Sequence, residues 1–145
     1  MNKDTRLSDV LHVLLHMAQA DAPLTSEVLA RSMGTNPAVF RRTMAGLRDA
    51  GIVRSEKGHG GGWQLAEPLE RITLMSVYEA LGCPNLFAIG SRSEHGECLV
   101  ETKVNAVLAE TMDEATALFA KRFSALTLDQ IAPNAPVPAS IHLDK

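Results

Sequence analysis

The strongest constraint on this chain is the segment 36–66, NPAVFRRTMAGLRDAGIVRSEKGHGGGWQLA. It predicts one helix, a stop and a short β-hairpin with a glycine-rich tip. The Asn36 side-chain oxygen can accept from the orphan N–H groups of the first turn, and Pro37 suits the first helical position, where a missing donor costs nothing. Phe40, Met44 and Leu47 recur at helical spacing with Thr43 beside them, which marks a buried face. Gly51 supplies a left-handed stop. Pro37, Ala38, Arg41, Arg42 and Arg48 fall on the opposite surface. Residues 52–54 and 63–65 read as strands joined by SEKGHGGG. This loop is too long for a two-residue turn, and its glycines let the backbone bend and approach a partner closely. A helix with small residues and arginines on its free face, followed by a basic hairpin, is suited to a polyanion.

Overall charge points the other way, since the chain of 145 residues carries a formal net charge of −3. The distribution resolves the conflict. Residues 36–66 hold Arg41, Arg42, Arg48, Arg54 and Lys57 against Asp49 and Glu56, a balance of +3, whereas residues 1–35 sum to −1 and residues 67–145 to −5. Positive charge is thus concentrated in the segment already singled out, the expected footprint of a nucleic-acid surface.

The rest of the chain supplies a frame for that segment. Residues 7–20 predict an amphipathic helix, with Leu7, Val10, Leu11, Leu14 and Ala18 on one face and Ser8, His12 and His16 opposite. DAPL, residues 21–24, reads as a turn. Thr25 caps a second helix, SEVLARSM, with Glu27 favourably placed in its first turn, and Gly34 and Thr35 end it. Helix, tight turn with glycine, helix is the helix-turn-helix pattern, whose second helix enters the major groove. Thr35 and Asn36 then stand where a helix N-terminus meets phosphate. Lys57 and His59 sit at the tip of a wing able to reach the neighbouring minor groove. After Pro68, Thr73 caps a helix LMSVYEAL that stops at Gly82.

Residues 83–97 form a connector. Leu86, Phe87 and Ile89 predict a packed first half, and SRSEHGE an exposed second half. A long helix over about residues 97–123 follows, with Val100, Val104, Val107, Leu108, Met112, Ala115, Leu118, Phe119 and Phe123 as its apolar stripe. It would span roughly 40 Å, more than a small domain needs, and its surplus apolar surface predicts a dimer helix. Thr127 and Gln130 form a capping box for a last short turn. The expected division is a mainly α winged helix-turn-helix domain with a two-stranded wing over 1–82, a connector over 83–97, a dimerisation helix and short terminal helix over 98–132, and a flexible tail over 133–145.

Two cysteines, Cys83 and Cys98, do not make a disulfide framework. No secretory leader or membrane-length apolar run is visible, so a cytoplasmic protein is expected. Cys98 opens the long helix in H-G-E-C. A helix N-terminus favours thiolate, although Glu97 and Glu101 oppose it, so Cys98 is either a candidate sensor of oxidants or electrophiles or a small part-buried apolar residue. Cys83, beside Pro84 at a helix end, reads as structural. His12 and His16 stand at i, i+4, a spacing that could hold a metal. They have no adjacent third ligand and no H-E-x-x-H pattern, so they read as surface or interface histidines and no metal or cofactor is assigned. No nucleophile elbow, P-loop or dinucleotide fingerprint supports an enzyme.

The segment GIVRSEKGHGGGWQLAEPLERITLMSVYEAL resembles the wing-and-helix signature of the Rrf2 family of bacterial transcriptional regulators. The matching positions are Gly51, Ile52, Val53, Ser55, Lys57, Gly58, Gly61, Gly62, Trp63, Leu65, Ala66, Ile72, Thr73, Leu74, Val77 and Ala80. Lys57 stands where the family usually has arginine, and Trp63 where it usually has tyrosine. TNPAVFRRTMAGLRDAG upstream and LFAIG with CLVETKVNAVLAETM downstream are similar to the YwnA-like subgroup, and the likeness covers about residues 6–131. The resemblance implies a homodimer that binds an operator in double-stranded DNA and usually represses. Separately from the resemblance, an oxidant or small-molecule effector is a candidate input, acting by tilting the long helices or the Leu86–Ile89 connector. Cluster-binding members carry three closely spaced cysteines before the long helix. This chain has only Cys98 there, with Cys83 fifteen positions upstream, so the resemblance implies no iron–sulfur cluster. Two alternatives stay open: a winged-helix interaction module that regulates an enzyme partner, and an atypical iron–sulfur sensor using His, Asp or Glu ligands.

Overall fold

The computed structural model describes residues 3–89 and 98–134. Among them, the chain forms helices α1 (Arg6–Gln19), α2 (Ser26–Met33), α3 (Pro37–Asp49), α4 (Leu74–Ala80) and α5 (Leu99–Ala125). Strands β1 (Val53–Glu56) and β2 (Gly62–Leu65) pair antiparallel, with Val53 opposite Leu65 and Glu56 opposite Gly62. Two single 3-10 turns lie at Leu69–Arg71 and Leu128–Ile131. The fold is mainly α: a winged helix-turn-helix with a long C-terminal helix.

The caps predicted from sequence are in place. Thr25 Oγ1 accepts from the Val28 N–H, Asn36 Oδ1 from the Val39 N–H and Thr73 Oγ1 from the Ser76 N–H. Gly34 ends α2 at φ +59°, and Gly51 ends the α3 turn at φ +77°. Each cap satisfies a donor that the first helical turn leaves orphaned. Phe40, Thr43, Met44 and Leu47 are the buried residues of α3, as its periodicity predicts.

α1 buries Val10 and Leu14 as predicted, but its buried stripe is shifted toward Val13 and Met17 and leaves out Ala18. Val10, Val13, Leu14 and Met17 are its buried residues, Leu7 and Leu11 are half-buried, and Ala18 is exposed. The reason is tertiary. α1 is packed by α2, α4 and β2, and these neighbours lie over the 10, 13, 14, 17 stripe. His12 and His16 remain on the exposed side.

Two short pairings tie the ends of the chain to this core. Leu24, in the segment read as a turn, forms an antiparallel bridge with Trp63: the Leu24 N–H donates to the Trp63 carbonyl at 3.0 Å and the Trp63 N–H to the Leu24 carbonyl at 2.8 Å. After α5, the Leu74 N–H donates to the Leu126 carbonyl and the Leu128 N–H to the Ile72 carbonyl, both at 2.9 Å. Leu128 is thereby fully buried in the same cluster as Leu14, Leu47 and Val77. Both halves of the Thr127–Gln130 capping box are present.

α5 has 27 residues and none of them is buried. Its C-terminal half leans on α4 through Phe119 and Phe123, whose rings meet Tyr78 edge-on at centroid distances of 5.0 and 6.4 Å. Its N-terminal half keeps Leu99, Val100, Val104 and Val107 more than half exposed. The connector differs from expectation. Leu86 is half-buried, but Phe87 and Ile89 are exposed. The exposed second half expected for the connector falls in residues 90–97, and the tail from 135 onward likewise lies outside the described residues.

Candidate nucleic-acid interface

α3 displays its free face as the sequence requires. Pro37, Ala38, Arg41, Arg42 and Arg48 are exposed. Among the described residues, Arg41 and Arg42 meet no carboxylate, whereas Arg48 lies 3.8 Å from Asp49, with both side chains solvent-accessible. A pair of that kind is worth little and leaves Arg48 available. At the start of α3, Asn36 spends its Oδ1 on the Val39 N–H at 2.9 Å. Its side-chain NH2 keeps two donors. Thr35 beside it is half-buried. The open N-terminus of α3 adds a partial positive charge to this corner.

The wing leaves directly from the end of α3. The Ile52 N–H donates to the Leu47 carbonyl at 3.0 Å, and α3 packs on β1. Lys57 and His59 lie exposed in the tip between the strands. The Gly61 N–H closes the tip on the Gly58 carbonyl at 3.0 Å. A Cβ at Gly61 would stand 2.3 Å from the Glu56 carbonyl oxygen, so only glycine fits there.

One anchor of the wing was not legible in the sequence. Trp63 Nε1–H donates to Ser26 Oγ at 3.0 Å, across 37 positions. Together with the Leu24 bridge this pins the root of β2 to the start of α2. Gly62 is the close-approach point: a side chain there would begin 2.6 Å from the Leu24 carbonyl oxygen. The wing is therefore held against the helix-turn-helix and does not hang from two free strands. Arg54, also absent from the predicted contact set, is exposed on β1 and reaches Gln64 Oε1 on β2 at 3.5 Å.

The two thiols are free and exposed. Cys98 is the residue before α5. The backbone N–H groups of Glu101 and Val100 lower its pKa from the ordinary thiol value, the effect expected of orphan donors at a helix start. Cys83 sits in the left-handed region at φ +53°. His12 and His16 turn their Nε2 atoms toward each other at 2.7 Å. Among the described residues, no three His, Cys, Asp or Glu side chains gather in a way that could hold a metal ion.

A helix-turn-helix braced by a wing and followed by a long helix defines a class of transcriptional regulators. The chain belongs to the Rrf2 family, described as iron-dependent transcriptional regulators, whose profile matches residues 3–134. It is similar to YwnA of Bacillus subtilis, a candidate HTH-type transcriptional regulator: 32% identical over 111 residues, covering 76% of this chain and 81% of YwnA. A crystal structure of a candidate DNA-binding protein superposes with a TM-score of 0.67 at 27% identity, covering 87% of this chain and 97% of that one. CymR, the global cysteine regulator of B. subtilis, shares the fold with a TM-score of 0.63 at 19% identity, covering 91% of this chain and 96% of that one. Cys83 and Cys98 are the only cysteines of the sequence, and among the described residues neither joins a group of three or more potential metal ligands.

Proposed function

We propose that this protein is a homodimeric DNA-binding repressor that reads an inverted-repeat operator in the cytoplasm. Residues 1–82, completed by Leu128, act as the reading head. Residues 83–97 link it to a dimerisation helix, and the tail from 133 takes no part in reading. Arg41 and Arg42 reach base edges or phosphates in the major groove. Thr35, Asn36, Pro37 and Ala38 lie along the phosphates at the start of α3, and Arg48 adds charge at its end. Lys57 and His59 enter the adjacent minor groove. Two copies joined through α5 present two such helices to successive turns of one duplex face, which favours an operator with matching symmetry. Cys98, exposed and biased toward thiolate, is the candidate input for oxidants or electrophiles. A change there would tilt the two reading heads relative to each other.

The single observation that carries this reading is the free guanidinium pair, Arg41 and Arg42, on the outer face of a capped second helix in a winged helix-turn-helix. The test is a fluorescence-anisotropy titration of genomic fragments selected by the purified protein, repeated across a salt series. Wild type should lose affinity steeply as salt rises, and Arg41→Ala with Arg42→Ala should flatten the log–log slope by about two, one for each phosphate-equivalent contact. Binding that ignores salt and both substitutions, with a protein co-purifying instead, would replace DNA by a protein partner.

A further inference from the structure

The histidine pair on α1 is an arrangement the DNA-binding reading does not use. His12 and His16 are both exposed, one helical turn apart, with ring centroids 4.5 Å apart and planes inclined at 52°. Their Nε2 atoms converge to 2.7 Å. Two imidazoles side by side on a helix need not do this. Without a ligand, one ring donates its Nε2–H to the Nε2 lone pair of the other, an N–H···N hydrogen bond. A metal ion that displaces this proton would meet two lone pairs already converging.

We infer that His12 and His16 form a bidentate site for one divalent first-row transition metal per protomer. The class follows from the donors. Two neutral imidazoles and no thiolate or carboxylate favour the nitrogen-preferring ions Cu2+, Ni2+ and Zn2+ over Mg2+, Ca2+ or Mn2+. With metal–nitrogen bonds of about 2.0–2.1 Å, two ligands of one ion stand roughly 3 Å apart. Opening the observed pair by a few tenths of an ångström suffices, within ordinary rotamer play. In the loaded state each ring carries its remaining proton on Nδ1 and turns its Nε2 lone pair to the ion. The other coordination positions belong to water. His16 borders a cleft of about 310 Å³ between α1 and α2, lined also by Gln19 and Ser32, which leaves room and polar groups for those waters. Both ligands sit on one turn of a helix whose opposite face is core, so the chelate exists only in the folded chain.

This inference is independent of DNA binding, and its test has its own readouts. The full-length protein is titrated with Cu2+, Ni2+ and Zn2+ separately, in competition with a chromophoric chelator. One equivalent should bind per protomer, with Cu2+ tightest. His12→Ala and His16→Ala should each weaken it at least tenfold, while His59→Ala and Cys98→Ser leave it unchanged. Circular dichroism confirms folding of each variant, which surface substitutions on α1 should not disturb. The Cu2+ complex should show two-nitrogen hyperfine structure by electron paramagnetic resonance. The melting temperature should rise with metal concentration in wild type, His59→Ala and Cys98→Ser and much less in the two α1 variants, because the ion binds the native state selectively. Unchanged affinity in both α1 variants, loss of binding on Cys98→Ser or His59→Ala, or no saturable binding by any of the three ions would each overturn the assignment.

Discussion

On the function proposed above, Asn36 would serve two purposes with one side chain. Its Oδ1 closes the first turn of α3 on the Val39 N–H, and its amide NH2 stays free at the corner where a phosphate would lie. The two roles separate by substitution. Asn36→Asp keeps the cap acceptor but replaces the donors with charge, so urea unfolding should match wild type within a few tenths of a kcal/mol while DNA affinity falls. Asn36→Ala should instead lose about 1 kcal/mol of stability. Cys98 offers a second test at this scale. Amides at the start of α5 lower its pKa below the usual 9.0, so the folded protein holds more thiolate at neutral pH than an ordinary thiol does. Its alkylation rate, followed by mass spectrometry, should rise with pH to a plateau whose midpoint lies below that value. The midpoint should move up when urea removes the helix. A folded midpoint at or above the unfolded one would remove Cys98 as a sensor.

Among the elements, the α3–α4 contact shows why a helix tolerates a glycine that propensity disfavours. Gly46 lies inside α3, and a Cβ there would stand 2.6 Å from the Ala80 carbonyl oxygen. That atom belongs to the α4 backbone and cannot rotate away. Gly46→Ala would gain about 1 kcal/mol in helix propensity, yet it should destabilise the protein by about 1–3 kcal/mol net, because two helices must move apart. Equilibrium denaturation measures this directly, and an alanine variant as stable as wild type would show that the contact yields. The wing makes the same point from another direction. Its strands and glycine tip were legible in residues 52–65. Its orientation depends on the Leu24 bridge and the Trp63–Ser26 hydrogen bond, which join positions with no local pattern connecting them.

For the whole molecule, the unfinished surface is α5. Leu99, Val100, Val104 and Val107 are each at least half exposed on a helix about 40 Å long. Apolar residues clustered in this way are costly in water and suit a second copy of the same helix. Val104→Glu with Val107→Glu should turn the dimer proposed here into a folded monomer by analytical ultracentrifugation and weaken operator binding at least tenfold. A variant that stays dimeric would place the interface elsewhere. The sequence by itself determined everything set by local chemistry: the caps at Thr25, Asn36 and Thr73, the left-handed glycines, the buried face of α3 and the cationic face opposite it. These follow from periodicities and hydrogen-bond needs that act within a few residues. Only the tertiary structure decided which stripe of α1 is buried, that Leu128 returns to complete the core, that Trp63 fastens the wing to α2, and that Phe87 and Ile89 stay uncovered. Each of those outcomes depends on contacts between residues far apart in the chain, where neighbours compete for the same apolar surface and no spacing rule records which one wins.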